Sequence, residues 1–278
     1  MSFVIPTTPA GRWQARIDAV PPLAWLALQA AALWIHWRWA AARVVDGSDD
    51  PLGIVALLAL GWAVVRLAPT LRAAPRPGWL ALALLMSVAA TSSVFIAPPL
   101  VGALLAVLAL VAGLRSFMPE GRPMLPLAGL AVLALPLISS LQFYAGYPLR
   151  VLTAQLSTWA LQLAGIAAER SGSAMQVEGR WIVVDAPCSG VQMVWMAYFC
   201  ACAVAALIDI GERRFVRRLP WIGALVLAGN VLRNSVLVIL EARGHASEAL
   251  HQGIGLVVLA LVCLAVVALV RGGGDENV

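Results

Sequence analysis

The chain has 278 residues, of which 62% are apolar and only 12% are charged, and its mean hydropathy is +0.88. Soluble domains average about 45–50% apolar and about 25% charged residues, so this composition excludes a soluble globular domain and a disordered chain. All of the 19 basic residues are arginines, and the net charge is +5. In an integral membrane protein a basic excess reports loop topology first, so we expect no nucleic-acid partner.

Eight apolar runs are long enough to cross the roughly 30 Å hydrocarbon layer as helices. They cover residues 21–42, 51–68, 78–97, 98–117, 123–145, 188–208, 219–240 and 250–270. Pro136 lies inside the fifth run and should kink it. We therefore expect an all-α integral membrane protein that forms a single polytopic domain over residues 1–278. It would comprise five spans in residues 1–145, an outer-face segment in 146–187 and a three-span core in 188–271.

The segment 148–168 has two possible interpretations. Its apolar residues recur at three- and four-residue spacing, which favours an amphipathic helix on the outer membrane face. They are Leu149, Leu152, Leu156, Trp159, Leu163 and Ile166. A ninth span is the alternative.

Arginine positions distinguish the two. With the N-terminus inside, Arg12 and Arg16 precede the first span on the inner side. The loop 209–218 contains four arginines, and it lies inside only if the segment 148–168 does not cross. We predict eight spans with both termini inside, so that residues 169–187 and the turn 241–250 share the outer side.

Arg233 stands inside an apolar helix, where a guanidinium costs roughly 2.5–3.5 kcal/mol on insertion scales. Such residues are candidates for function, although Arg233 could instead snorkel to the interface or pair with an outer-loop acid such as Asp185 or Glu241. Asn230 lies three residues earlier on the same helical face, where it could orient the guanidinium or support a substrate carbonyl.

Cys188 lies where a polar, β-rich run gives way to a long apolar helix, in VVDAPCSGVQMVW. A helix N-terminus favours a thiolate, and the first-turn N–H groups at Ser189 and Gly190 could bind an oxyanion. The alternative is a small buried hydrophobic residue. The preceding MQVEGRWIVVDAP alternates in part and contains a Glu-Gly turn, which favours a short β-hairpin.

His251 opens the last span in HQGIG, where it could also be a simple interfacial residue. Together with Cys188 and Arg233 it supplies a proton shuttle, a nucleophile and a fixed cation on one side of the membrane. Cys200 and Cys202 face different directions on a helix, so we expect no metal site, and no motif indicates a cofactor.

Three blocks in this order, PCSGVQ, NVLRN and HQGIG, resemble the exosortase/archaeosortase family of membrane cysteine transpeptidases. The resemblance is concentrated in residues 169–260 and points to the bacterial exosortases. It implies that Cys188 is the acyl-forming nucleophile, His251 the general acid/base and Arg233 the group that holds the substrate carbonyl or oxyanion. It also implies an active site on the periplasmic face of the inner membrane.

The implied partners are exported proteins that end in a sorting signal of the PEP-CTERM kind: a short motif, a transmembrane helix and a basic tail. Membrane lipid is the other expected partner, and the sequence does not give the oligomeric state. Two alternatives stay open. One is a non-catalytic scaffold or transporter component of polysaccharide export. The other is an intramembrane protease that hydrolyses without transfer.

Overall fold

The computed structural model describes residues 20–245 and 247–272, except the side chains of residues 186 and 187. The N-terminal arginines at positions 12 and 16 lie outside this range. Chain contacts divide the protein into two compact units. The first contains the residues up to 47 together with 54–135, and the second contains residues 48–53 and those from 136 onward.

The first unit is entirely helical. Its helices are α1 (Pro22–Ala32), α2 (Trp34–Val45), α3 (Leu52–Leu67), α4 (Pro77–Ser93), α5 (Pro99–Phe117) and α6 (Leu125–Leu133). Helix α3 begins in the 48–53 segment, and a 3₁₀ turn at Ala68–Thr70 follows it. Prolines stand in the first turns of α1, α4 and α5, where the missing N–H is least costly.

Helix α5 is the centre of this unit. Its buried face consists mostly of small residues, which let neighbouring helix backbones approach closely. They include Gly102, Ala103, Ala106, Ala109, Ala112 and Gly113. Gln29 of α1 donates to the Ala109 carbonyl at 3.0 Å and to Ser87 Oγ of α4 at 3.0 Å, so polar contacts also tie these helices together.

The second unit contains four longer helices and a small sheet. The helices are α7 (Ile138–Leu163), α8 (Val191–Leu207), α9 (Glu212–Ala242) and α10 (Glu248–Arg271). Between α7 and α8 the chain forms β1 (Ala168–Ser171), β2 (Ala174–Val177), β3 (Arg180–Val183) and a 3₁₀ turn (Ala186–Ser189).

The three strands form an antiparallel sheet in the order β1-β2-β3. The predicted hairpin is present as β2 and β3, and its turn at Glu178 and Gly179 has positive φ angles of 50° and 81°. Strand β1 adds a third member that the alternation did not predict. Met175 and Ile182 on one face pack into a buried cluster with Cys188. The sheet therefore covers the segment that holds this cysteine.

Four helical segments are long and apolar enough to cross a membrane. They are Leu52–Thr70, Pro99–Phe117, Glu212–Ala242 and Glu248–Arg271. The pair α6 and α7 makes a fifth if it is counted as one broken span. Three shorter apolar helices, Pro22–Ala32, Pro77–Ser93 and Val191–Leu207, fall on three other predicted runs. The protein is thus a multi-pass helical membrane protein with a small sheet.

The prediction of a separate amphipathic helix from residue 148 is wrong. Helix α7 runs without interruption from Ile138 to Leu163, and Pro148 lies inside it. The break falls earlier, between Leu133 and Ile138, around Pro136. Proline can remain within a membrane helix when neighbouring groups satisfy the freed backbone carbonyl.

Burial along α7 explains why the apolar periodicity of residues 148–168 wrongly predicted a surface helix. Thr153 and Ser157 on its polar face are 1% and 0% exposed, whereas Leu163 on its apolar stripe is 90% exposed. Thr153 contacts Asn230 and Ser157 contacts Asn234, so α7 and α9 run parallel here. The polar face therefore packs against protein instead of facing water, as small polar residues do between membrane helices.

Candidate active site

Three side chains from different elements of the second unit meet at one point. Cys188 comes from the 3₁₀ turn before α8, Arg233 from the last third of α9 and His251 from the first turn of α10. Cys188 Sγ lies 3.7 Å from His251 Nε2, and Arg233 Nη2 lies 3.4 Å from the same nitrogen. The structure therefore brings together the three residues that the sequence singled out.

His251 Nε2 contacts both other side chains. A guanidinium carries only donors, so a hydrogen bond between Arg233 and Nε2 requires the tautomer of His251 that has its proton on Nδ1. The Cys188 thiol then donates to the same nitrogen. Ser247 caps α10 by accepting from the Leu250 N–H at 3.2 Å, which fixes the turn that presents the ring.

Cys188 is 7% exposed and packs among apolar side chains beneath the sheet. Burial raises the pKa of its thiol, the charge of Arg233 lowers it, and the carboxylates of Asp185 and Glu241 raise it. The net direction is upward, so the resting form is the thiol. Burial thus opposes the thiolate that a helix N-terminus is expected to favour, and a thiol in this form needs a base before it can act as a nucleophile.

Gly255 makes room for the Arg233 guanidinium. A Cβ atom at position 255 would lie 3.2 Å from Arg233 Nε and 3.3 Å from Nη2, closer than ordinary van der Waals contact. At Gly253, on the same helix, a Cβ atom would meet nothing within 4 Å. The two glycines of the HQGIG block therefore differ, since only Gly255 contacts the site.

Asn230 holds the backbone of the cysteine. Its Nδ2 donates to the Cys188 carbonyl at 3.1 Å and to Thr153 Oγ1 at 2.9 Å, and the residue is 3% exposed. Both amide protons are thus in use, which leaves none for a substrate oxyanion. The geometry makes Asn230 a positioning residue for Cys188, in place of the direct support for substrate that its spacing from Arg233 suggested.

Gly190 is required by two features of its position. Its φ angle of +82° lies in the left-handed region, and a Cβ atom would lie 2.8 Å from Asn230 Cγ. The left-handed residue ends the 3₁₀ turn and caps α8, so it joins the cysteine directly to a helix N-terminus.

Ser189 bonds to α7 and to the start of α8. Its hydroxyl donates to Gln142 Oε1 of α7 at 2.8 Å and accepts from the Val191 N–H at 3.4 Å. The serine therefore ties the turn to α7. The first-turn N–H groups of α8 have no acceptor within their own helix, and one of them, the Val191 N–H, is bonded to Ser189 Oγ.

Sequence reasoning missed Gln142 and Thr153, which hold the turn through Ser189 and Asn230. Both lie on α7, more than 30 residues before the cysteine. A signal was present, because Gln142, Gly146, Thr153 and Ser157 form a small and polar stripe at helical spacing. Within residues 20–245 and 247–272, no cluster of three or more His, Cys, Asp and Glu residues could hold a metal ion.

A family model described as transmembrane exosortase (Exosortase_EpsH) matches residues 39–268. The matched range includes the sheet, the turn and all three converging side chains. No curated protein and no solved structure matches the chain.

Proposed function

The chain belongs to the transmembrane exosortase family, and from this premise we propose that it is a membrane cysteine protease and transpeptidase. It recognises and cleaves the C-terminal sorting signals of exported proteins through a thioester intermediate. The observation that carries this proposal is the convergence of Cys188 Sγ and Arg233 Nη2 on His251 Nε2.

The first step is transfer of the thiol proton. Because burial keeps Cys188 protonated, His251 Nε2 takes the proton as the sulfur attacks the scissile carbonyl carbon. The carbon–sulfur bond forms while the carbonyl π electrons move to oxygen. The result is a tetrahedral oxyanion and an imidazolium.

Arg233 and the first turn of α8 stabilise that oxyanion. In the resting site Arg233 donates to His251 Nε2, but once the ring is protonated this nitrogen no longer accepts. The guanidinium is then available to the negative oxygen beside it. The α8 first-turn N–H groups supply neutral donors at a helix N-terminus, and such groups are effective where charge develops.

Collapse of the oxyanion breaks the carbon–nitrogen bond. The imidazolium of His251 gives its proton to the leaving amine, which departs with the transmembrane helix and basic tail of the signal. The exported protein stays on Cys188 as a thioester. A second nucleophile, water or an amine of an envelope component, attacks the thioester and regenerates the thiol.

The proposed topology retains eight crossings. Four long helices, the α6–α7 pair and three shorter apolar helices make eight. Helix α7 then replaces the predicted surface helix as the second part of the fifth crossing, since it runs parallel to α9. The four arginines in the first two turns of α9 then lie inside, and in this topology the site faces the periplasm of a bacterial cell.

The substrates in this proposal are exported proteins whose signal consists of a short motif, one transmembrane helix and a basic tail. The helix enters among the spans from the lipid, so that the motif lies at the periplasmic interface beside Cys188. Binding through the helix supplies the orientation that brings the scissile carbonyl to the thiol.

The test is co-expression of the full chain with a reporter that ends in a sorting signal from the same genome. We expect wild type to shorten the reporter on a gel, and Cys188→Ala and Cys188→Ser to leave it uncut at equal expression. Cys263→Ala is the matched control, because this cysteine lies on α10 within a spanning segment. Processing by Cys188→Ala, or no processing of any native signal by wild type, contradicts the proposal.

A further inference from the structure

Strand β3 leads directly into the segment that carries Cys188 and has one free edge. The sheet order β1-β2-β3 pairs β3 with β2 alone among the described residues. Only four residues separate Val183, the last residue of the strand, from Cys188. Backbone groups on the free edge of β3 therefore lie close in the chain to Cys188.

The hydrogen-bond pattern shows which groups face that edge. The Val184 N–H donates to the Ser173 carbonyl at 2.9 Å, and Ile182 pairs with Met175. In an antiparallel pair, residues bonded to the partner strand alternate with residues whose N–H and C=O point away. Trp181 and Val183 therefore direct their backbone N–H and C=O groups to the free edge.

This edge lacks the features that protect most edge strands. Trp181 is 57% exposed and Val183 is 58% exposed, and β3 contains neither proline nor lysine. Its charged residue, Arg180, lies at the end farther from Cys188. An exposed apolar edge of this kind is a template for pairing with another extended chain.

A peptide that is cleaved beside a membrane needs hydrogen-bond partners for its backbone, and an open strand edge supplies them. Within a helix a scissile carbonyl is bonded to the N–H four residues later, so the segment must be extended before sulfur can reach its carbon. The freed N–H and C=O groups then need partners, because unpaired backbone groups are costly where water is scarce. The edge of β3 offers alternating donors and acceptors in this geometry.

We propose that the substrate segment next to the scissile bond binds as a fourth strand on the free edge of β3. This inference rests on the proposed function and specifies how the substrate is held. Backbone hydrogen bonds from Trp181 and Val183 supply part of the affinity, as in other cases of strand addition. The register of pairing then sets which peptide bond reaches Cys188.

The first test is Val183→Pro in the full chain, co-expressed with a reporter that wild type processes. Proline removes one N–H from the free edge without breaking a bond to β2, so edge strands tolerate it. Arg170→Pro, compared with Arg170→Ala, is the control, because the Arg170 N–H faces the opposite edge of the sheet and both variants lose the same side-chain bonds to Gln155 and Gly172.

We expect Val183→Pro to slow reporter processing about tenfold or more, while Arg170→Pro processes at the wild-type rate. Alkylation of Cys188 by iodoacetamide, which needs no peptide docking, should be unchanged in both variants. Wild-type processing by Val183→Pro overturns the strand-addition proposal and leaves the protease intact. Failure of wild type to process the reporter overturns both.

If Val183→Pro also slows alkylation of Cys188, disulfide scanning tests strand addition independently. Val183→Cys is placed in Cys188→Ala, and single cysteines are moved through the substrate segment, with Cys188→Ala alone as the control. Paired strands present side chains to alternate faces, with Cβ atoms about 5 Å apart, so we expect cross-links at every second position. Uniform or absent cross-linking, or cross-linking between two copies of the chain, overturns the proposal.

Discussion

Cys188 Sγ lies 3.7 Å from His251 Nε2, although the two residues are 63 positions apart in the chain. Arg233 reaches the same nitrogen at 3.4 Å. A neutral imidazole has one lone pair on this atom, so the thiol and the guanidinium share a single acceptor. In the proposed reaction, a proton that moves from sulfur to nitrogen removes this acceptor from Arg233, which would couple nucleophile formation to oxyanion binding.

Replacement of Arg233 tests this coupling. Arg233→Lys retains the charge but loses the planar set of donors that reaches both the ring and a developing oxyanion. We expect it to reduce reporter processing roughly a hundredfold, as the loss of one oxyanion donor does. Arg213→Lys, in the first turn of α9, is the matched control and should process normally. Equal processing by both variants contradicts the role of Arg233.

The two glycines of α10 give a second prediction. Alanine at either position should favour the helix by about 1 kcal/mol. Only Gly255→Ala brings a methyl group against the Arg233 guanidinium, so it should lower processing while Gly253→Ala does not. Reporter processing and thermal unfolding in detergent are measured for both variants. Normal processing by Gly255→Ala would show that the guanidinium does not need this space.

The pH dependence of Cys188 alkylation gives a third prediction. The carboxylate of Glu241 raises the pKa of the thiol, so Glu241→Gln should lower that pKa and speed alkylation at neutral pH. Arg233 lowers the pKa, so Arg233→Ala should raise it and slow alkylation. The rate of iodoacetamide reaction is measured from pH 6 to 10, with Glu212→Gln at the start of α9 as the control. Shifts in the opposite directions would contradict these charge assignments.

Asn230 gives a fourth prediction. Asn230→Ala leaves the Cys188 carbonyl without its donor, and an unpaired buried acceptor costs about 1–3 kcal/mol. We expect lower thermal stability and slower processing. Thr153→Val removes only the other contact of the same amide and should have a smaller effect. The order of the two variants in reporter processing is the readout, and equal loss in both would show that the Cys188 contact is not the important one.

Much of this site could be predicted because its main residues break local patterns. Arg233 is a charge in an apolar helix, and Cys188 and His251 stand at the starts of apolar runs. Such departures from pattern are visible in single segments. The positions of the helices were predictable for a different reason: apolar runs of this length fold as helices.

The supporting contacts could not be predicted, because they depend on which helix lies beside which. Thr153 meets Asn230 across 77 positions, and Ser189 meets Gln142 across 47. The apolar stripe of α7 suggested a surface helix because periodicity identifies two faces without showing which one contacts protein. Packing against α9 buried the polar face.

In the proposed reaction, Cys188 carries the substrate as a thioester. The most direct measurement is intact-mass analysis of the purified full-length chain after brief mixing with a processed sorting-signal reporter, with and without hydroxylamine. We expect an adduct of the N-terminal reporter fragment on Cys188 that hydroxylamine removes and that Cys188→Ala does not form. Reporter cleavage without this adduct in wild type, or an adduct on any other residue, contradicts it.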